Sequence, residues 1–320
     1  MAKKIALIVL FNHRYDKNLP ILEEIYKERF SNRYYLVPFY DGDMKNVIPV
    51  YGRSVFFEIY IAQAYNILKD KGFDYYYIIA DDMIINPMIN ENNIQDFFEL
   101  QDGESWIPHL RLIREQKYFW LGTLAAYMYK PVQKYVETKG ELPSIEEAVG
   151  KFELQGLNNP TKLSRKDVFR EFTLRTTYMA DKARLALRII SRIRHPFRRN
   201  VNLSYPMAAS YSDTLLVSGD IMSKFAHYCG VFGATSLFVE VAIPTALVLA
   251  SEKKIKTEKD IFRSGRSYWK TPDNVFCEDA QYTWDHLDKE YKNLDDMMEH
   301  FPKDAIYLHP VKLSKWLKGN

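Results

Sequence analysis

The chain has little cysteine, and it lacks the short motifs that mark several common enzyme classes. Its two cysteines, Cys229 and Cys277, are too few for a disulfide framework, and they do not have the C-x-x-C spacing of a zinc site. We therefore expect core thiols in a reducing compartment. The sequence also contains no G-x-G-x-x-G after its first apolar run, no G-x-x-x-x-G-K, no H-E-x-x-H and no G-x-S-x-G. These absences argue against dinucleotide oxidoreductases, P-loop NTPases, zincins and α/β-hydrolases.

Export and membrane-spanning signals are also missing. The apolar run at residues 5–11 continues into Asn-His-Arg without a small-residue cleavage site, so it predicts a buried first strand. Residues 229–250 carry a single charge, Glu240, but they also contain Gly230, Gly233 and Pro244. A carboxylate near the middle of a membrane-spanning helix has a high free-energy cost, so we expect a buried core segment there.

Composition and charge are those of a globular protein with one unusual segment. Apolar residues make up 47% and charged residues 27% of 320 residues, which fits one large α/β domain or two fused halves. The formal net charge is only +3. Residues 162–199, however, hold twelve Lys or Arg against three Asp or Glu, an excess of nine positive charges. We expect a negatively charged partner to bind there.

The first hundred residues alternate between strand and helix patterns. Apolar strands are predicted at 5–11, 34–40 and 75–80, with helical periodicity at 19–30 and 54–69 between them. This alternation predicts a parallel sheet whose ligands bind at the carboxyl ends of the strands. Later segments predict a strand or a buried helix at 118–129, a short helix at 144–149, and strands at 214–218 and 305–308.

Two adjacent acids end the third predicted strand. Asp81 and Asp82 follow the buried run 75–80, where like charges repel and resist desolvation. A divalent cation with a diphosphate on its far side would relieve both problems. An acidic turn where the strand leaves the core remains the alternative interpretation.

At this point the sequence resembles nucleotide-sugar-dependent glycosyltransferases of the GT-A fold, of the bacterial surface-polysaccharide type. Their D-x-D-type motif would correspond to Ala80-Asp81-Asp82, with Ala in place of the first acid. The resemblance implies Asp82 as the main ligand of Mn²⁺ or Mg²⁺, and Asp81 facing the ribose or the donor sugar. If the register is 81–83 instead, Met83 replaces the last acid and the metal assignment weakens. The resemblance covers roughly residues 4–130 and 205–312.

The same resemblance assigns further binding residues. Asn12 and Asp41 end the first two strands, where such enzymes hold the nucleoside, and Arg53 precedes a helix near the diphosphate. His309 looks like the late histidine that supplies a further metal ligand, and Lys312 could contact a phosphate. The alternatives are that Asp41 is an ordinary turn aspartate, that Arg53 is a solvated arginine, and that His309 is a surface residue ahead of a proline.

The second half contains the candidates for the chemical step. In glycosyltransferases of this type that invert configuration, the catalytic base is an acid at the start of a helix late in the chain. The resemblance therefore implies Glu240 as the base, because of its place in the chain order. Asp220 also opens a helix after a strand, with an N-capping role as the alternative. A structural carboxylate is the alternative for Glu240.

Together these observations predict an α/β protein with a GT-A-like (Rossmann-like), mostly parallel central sheet flanked by helices, and a basic helical insertion. We expect a nucleotide-sugar-binding half at 1–130, a connecting basic segment at 131–204, and an acceptor-side half with the C-terminal metal ligand at 205–320.

The predicted function is a metal-dependent, hexosyltransferase-like glycosyltransferase that uses Mn²⁺ or Mg²⁺ and a nucleotide-sugar donor. Its acceptor would be a glycan or a lipid-linked glycan. We expect residues 162–199 to contact an anionic membrane surface, in the cytoplasm at the inner face of the cell membrane, and we expect no nucleic-acid partner. A sugar nucleotidyltransferase and a non-catalytic membrane- or nucleic-acid-binding protein remain the alternatives.

Overall fold

The computed structural model describes residues 3–116, 120–164, 167, 200–269 and 282–316. The basic segment predicted at 162–199 therefore lies almost entirely outside the described residues, as does Cys277. The strands within the described part are β1 (Ile5–Leu10), β2 (Asn32–Pro38), β3 (Val47–Val50), β4 (Tyr75–Ala80), β5 (Ile84–Ile85), β6 (Arg111–Leu112), β7 (Lys162–Ser164), β8 (Asn200–Asn202), β9 (Ala208–Ala209), β10 (Thr214–Ser218), β11 (Ser264–Ser267) and β12 (Ala305–His309). The α-helices there are α1 (Leu19–Tyr26), α2 (Glu58–Leu68), α3 (Ile94–Phe97), α4 (Trp120–Met128), α5 (Ile145–Leu154), α6 (Gly219–Ala234), α7 (Val239–Ala250), α8 (Glu258–Ile261), α9 (Trp284–Glu290), α10 (Leu294–Glu299) and α11 (Leu313–Trp316).

A five-stranded sheet forms the centre of the molecule. Its strand order is β10-β4-β1-β2-β3. The first four strands of the chain pair in parallel, and β10 runs antiparallel to β4 at the edge. The predicted mostly parallel sheet flanked by helices is thus confirmed. Because β10 comes from the second half of the chain, both halves contribute strands to this one sheet.

The two faces of the sheet bury alternate residues of each strand. In β1, Ala6, Ile8 and Leu10 pack into one apolar cluster with α2, α6 and α7. The intervening residues of β1 pack into a second cluster with α1 and the C-terminal elements. All six residues of β1 are buried. A strand covered on both faces has an uninterrupted apolar sequence, and the run at 5–11 therefore predicts β1.

Strand β3 was not predicted from the sequence. It contains Pro49, which has no N–H to donate and usually excludes a residue from the interior of a sheet. β3 pairs only with β2 and forms the edge of the main sheet, where a missing donor is tolerated. The predicted helix at 54–69 begins later than expected, since a 3-10 turn at Ser54–Phe56 precedes α2.

The long apolar stretch at 229–250 is divided between two helices. α6 ends at Ala234 and α7 begins at Val239, with Pro244 inside α7. Every residue of α7 except Glu240 is buried. The prediction of a buried core segment is confirmed, and no helix in the described part of the chain is both long and apolar enough to cross a membrane.

A second, three-stranded sheet ties the C-terminal segment to the end of β4. β12 pairs in parallel with β11 and antiparallel with β5, with Leu308 opposite Ile84. Since β5 begins two residues after Asp82, this pairing carries the end of β12 to the pair of acids. His309 is the last residue of β12.

Candidate functional site

Acidic side chains from both halves of the chain lie together at one edge of the main sheet, namely the edge at which the parallel strands end. Asp81 and Asp82 follow β4, and Asp213 precedes β10. Because β4 and β10 are antiparallel, the end of one lies beside the start of the other. Glu240, in the first turn of α7, joins this edge through Ser212, whose backbone N–H donates to its carboxylate at 3.0 Å.

Asp81 is almost fully buried, with 4% of its surface exposed. Its backbone N–H donates to the carbonyl of Leu10 at 2.8 Å, and the backbone N–H of Asn12 donates to its carboxylate. Burial, and then repulsion from Asp82, raise the pKa of Asp81 to about 8, against the opposing influence of Asn12 and His309. This carboxyl group therefore holds a proton more readily than an ordinary aspartate.

Asp82 forms an ion pair with His309. The Nε2 atom of His309 lies 2.9 Å from Oδ1 of Asp82, and the backbone N–H of Val311 donates to the carbonyl of Asp82 at 2.6 Å. Burial opposes ionisation of Asp82, but His309 and, more weakly, Lys312 keep the pKa of Asp82 below its usual value. Burial also disfavours charge on His309, yet Asp82 raises the pKa of that imidazole.

Two aromatic side chains enclose the other side of His309. The hydroxyl of Tyr211 contacts Nδ1 of His309, and the indole N–H of Trp269 lies 3.1 Å from the same nitrogen and 3.2 Å from the Tyr211 hydroxyl. The Tyr211 hydroxyl also hydrogen-bonds the carboxyl group of Asp213. One phenol therefore links His309 to a third acid of the site.

Asp213 and Glu240 affect each other's ionisation. Burial, and then the charge of Asp213, raise the pKa of Glu240 well above its usual value. Burial likewise raises the pKa of Asp213, with His309 opposing the shift and Asp82 adding to it. Two acids with raised pKa values beside an ionised one form a constellation that is typical of functional sites.

The structure brings together four of the residues predicted from the sequence. Asp81, Asp82, His309 and Glu240 share one edge, and Asn12 supplies a backbone N–H to Asp81. The surface interpretation of His309 is wrong, because only 2% of the residue is exposed. His309 contacts Asp82, whereas Met83 is buried in the core.

Asp220 does not join this site. It lies in the first turn of α6, directly after β10, and its backbone N–H donates to the side chain of Ser218, the N-cap. Ser218 pairs with Tyr75 at the start of β4, whereas the acids follow the end of β4. A five-residue strand is about 17 Å long, so the sheet separates Asp220 from the acids. The N-cap is Ser218 and not Asp220.

The remaining candidates lie nearer the surface. Asp41 forms an ion pair with Arg14 and has 77% of its side chain exposed. Arg53 lies over the ring of Phe56 at 5.3 Å from the ring centroid. Lys312 is exposed and acts electrostatically on Asp82.

Sequence reasoning missed Asp213, Tyr211 and Trp269. A usable signal existed for Asp213, which directly precedes the predicted strand at 214–218. A mostly parallel sheet is expected to present functional residues after its strands, and Asp220 follows this strand. Because β10 is antiparallel to β4, the residue that lies beside the end of β4 is the one that precedes β10. Nothing in the sequence pattern marked Tyr211 or Trp269 apart from the other aromatic residues.

The donor atoms of the site suit a hard or intermediate divalent cation. Carboxylate and imidazole ligands are those that Mn²⁺ accepts in proteins. Within residues 3–116, 120–164, 167, 200–269 and 282–316, no three His, Cys, Asp or Glu side chains converge to hold a metal ion alone. Asp82 and His309 could supply two ligands, a number that fits a cation whose remaining ligands are water and phosphate oxygens.

A comparison with models of known protein families finds no match for the chain. A search of curated protein sequences finds none either. Among solved structures, the chain is similar to the mannosyltransferase Ktr4p from S. cerevisiae in complex with GDP. The identity is 13% and the TM-score 0.37, over 89% of this chain and 79% of that one. A similarity of this size carries no argument about fold or function here.

Proposed function

We propose that the protein is a metal-dependent glycosyltransferase with a GT-A-like arrangement. It would transfer a sugar from a nucleotide-sugar donor to a glycan or lipid-linked glycan acceptor. The observation that carries the proposal is the meeting of Asp81, Asp82, Asp213, Glu240 and His309 at one sheet edge. Such an edge, at the carboxyl ends of parallel strands, is where open α/β sheets bind their ligands.

Asp82 and His309 are the side chains that would hold Mn²⁺ or Mg²⁺. Asp82 is kept ionised by His309 and Lys312, which suits it to bind a cation. A bound cation would neutralise charge on the leaving diphosphate. Lys312 is exposed beside Asp82, where its ammonium group would contact a phosphate oxygen of the donor.

The nucleoside would lie along the ends of β1, β2 and β3. Phe39 and Tyr51 follow β2 and β3, with ring centroids 5.5 Å apart and 57% and 56% of their surfaces exposed. Exposed rings of this kind offer stacking surfaces to a planar base. Asn12, Asp41 and Arg53 are the polar residues of the same end of the sheet. Asp81 would face the ribose or the sugar with a carboxyl group that readily keeps its proton.

Glu240 would act as the base that accepts the proton of the acceptor hydroxyl if the reaction inverts configuration. A carboxylate whose pKa is raised is a stronger base than an ordinary glutamate, which suits that role. The Ser212 N–H bond at 3.0 Å orients one oxygen of the group. Asp220 is excluded from this role by its position beyond the other end of β10.

Residues 162–199 would contact an anionic membrane surface or a lipid-diphosphate acceptor at the inner face of the cell membrane. The excess of nine positive charges supports this part of the proposal. Each basic residue near an anionic leaflet contributes about 1 kcal/mol.

A thermal-shift screen tests the proposal. UDP-, GDP-, CMP- and dTDP-sugars are each added with and without Mn²⁺, and the melting temperature is measured. One donor class should stabilise the protein, by about 2.7 kcal/mol at a hundred times its dissociation constant, and the gain should vanish in EDTA. No stabilisation by any nucleotide-sugar would contradict donor binding, and stabilisation that persists in EDTA would contradict the metal.

A further inference from the structure

The loop between α4 and α5 exposes two apolar side chains to solvent. Tyr135 has 88% of its surface exposed and Val132 has 59%. Tyr135 also has a φ of 67°, in the left-handed region that bulky residues rarely adopt. Loops normally have glycine or asparagine at such a position. An exposed aromatic side chain on a strained backbone is an observation that points to a binding role.

Hydrogen bonds hold this loop in a defined conformation. Thr138 is buried, and its hydroxyl donates to the carbonyl of Pro131 at 3.0 Å. The backbone N–H of Val136 donates to the carbonyl of Gln133 at 3.3 Å. The side-chain amide of Gln133 donates in turn to the carbonyl of Thr235 at 2.7 Å. The loop is therefore folded on itself and anchored to α6, so the exposed side chains have a fixed place on the molecule.

The anchor lies close to the candidate site. Thr235 is the C-cap of α6, and it precedes Glu240, in the first turn of α7, by five residues. Five residues span at most about 18 Å. The loop is thus attached near the end of the sheet where the acids lie, on the side of Glu240.

The charges of the loop indicate what kind of partner it fits. Residues 130–139 contain three exposed lysines, Lys130, Lys134 and Lys139, against one acid, Glu137, an excess of two positive charges. Lysine is depleted at protein–protein interfaces. In the headgroup region of a membrane, by contrast, aromatic rings lie at the apolar boundary while lysine stems reach back to the phosphates. Anionic lipids attract such lysines.

We propose that residues 130–139 form a membrane-docking loop, in which Tyr135 and Val132 insert into an anionic leaflet and the three lysines bind its phosphate groups. The consequence for the acceptor rests on the proposed function, because a leaflet at this loop brings a lipid-linked acceptor to the Glu240 side of the site. The membrane contact itself requires no sugar transfer.

Quenching by brominated lipids tests the insertion. Tyr135→Trp is mixed with vesicles of phosphatidylcholine and phosphatidylglycerol whose acyl chains carry bromine, which quenches indole emission only at close range. The matched control is Phe262→Trp. Phe262 is 93% exposed with a φ of 52°, and it follows Ile261, which packs on the α1 face of the sheet, opposite α6. We expect more quenching in Tyr135→Trp than in the parent, and no increase in Phe262→Trp.

Sedimentation with vesicles measures the affinity. The double variant Val132→Ser, Tyr135→Ser should bind anionic vesicles about tenfold or more weakly, because the burial of two apolar side chains is lost, whereas Phe262→Ser should bind like the parent. Both variants should keep the parent melting temperature, since the replaced side chains are exposed. Replacing the three lysines with Gln should weaken binding to anionic vesicles more than binding to neutral ones.

Neither measurement contains a metal or a nucleotide-sugar. Insertion of the loop in a protein that binds no donor would contradict the proposed function and leave the membrane contact standing. Quenching of Tyr135→Trp no greater than that of the parent overturns the inference, even if residues 162–199 hold the protein on the vesicle. Equal sedimentation of the double variant and Phe262→Ser overturns it as well. A parent dimer that is lost in the double variant, without quenching, would identify a second copy of the chain as the partner instead.

Discussion

Asp81 and Asp82 are adjacent in the chain, but their environments act on their ionisation in opposite directions. Burial and the neighbouring charge raise the pKa of Asp81 to about 8, whereas His309 holds the pKa of Asp82 down. Only the second acid faces an imidazole that balances its charge. Near neutral pH one group tends to keep its proton and the other is a carboxylate, and such a division of roles is common in catalytic sites.

Asp82→Asn is expected to lower turnover by more than about a hundredfold and to remove the effect of Mn²⁺ on donor binding, because the amide carries no charge for the cation. Turnover is measured at limiting and at saturating Mn²⁺, together with the thermal shift produced by the donor. The matched control is Asp220→Asn, which makes the same chemical change beyond the other end of β10. Near-normal activity of Asp82→Asn at limiting Mn²⁺ would show that the 80–82 register is wrong.

Glu240→Gln keeps the shape of the side chain and its bond from Ser212 but removes a base. We expect turnover to fall by about a hundredfold or more, with donor binding and melting temperature retained. The configuration of the product is determined by NMR in the same experiment. A retained configuration, or normal turnover in a stable variant, would contradict the assignment of Glu240 as the base.

At the scale of single elements, the contact between α2 and α6 contains an unusual buried acid. Glu58 begins α2 and is fully buried. Neither of its carboxylate oxygens reaches a hydrogen-bond partner on another described residue. The helices approach closely, since a Cβ on Gly233 of α6 would come within 2.9 Å of Ile59. Burial raises the pKa of Glu58 well above its usual value.

This raised pKa predicts a pH dependence of stability. Folding takes up a proton at Glu58, so the contribution of Glu58 to the free energy of unfolding is greatest below the ordinary pKa of the group, 4.5, and falls as the pH rises toward the folded-state value. The slope from one such proton is about 1.4 kcal/mol per pH unit. Glu58→Gln should remove this contribution.

Urea unfolding at several pH values between about 5 and 7 measures it. The control is Glu24→Gln on α1, at a side chain that is 72% exposed. Equal slopes in the parent and in Glu58→Gln would mean that Glu58 is not the group that takes up the proton.

At the scale of the whole molecule, the excess of nine positive charges in residues 162–199 predicts binding to anionic membranes. Replacing Arg188, Arg192, Arg194 and Arg198 with Gln removes four of these charges. Since each contributes about 1 kcal/mol near an anionic leaflet, binding to anionic vesicles should fall by orders of magnitude. Sedimentation with anionic and with neutral liposomes measures this. Equal sedimentation of the variant and the parent would contradict a role for these arginines in membrane binding.

The amino-acid order alone predicts the parallel part of the sheet and the acids that follow β4. Strands buried on both faces are local apolar runs, and the helices between them have their own periodicity. A local pattern also placed His309 directly after the predicted strand at 305–308. These features depend on neighbours along the chain, so the amino-acid order alone is enough to recognise them.

Which residues meet at the site depends on contacts between segments that are far apart in the chain. Asp82 and His309 are 227 positions apart, and the antiparallel pairing of β5 with β12 brings them into contact. The direction of β10 likewise selects Asp213 in place of Asp220, because an antiparallel strand presents its first residues at the edge where its neighbour ends. Strand direction follows from packing between distant segments, and the apolar pattern of a strand is the same in either direction.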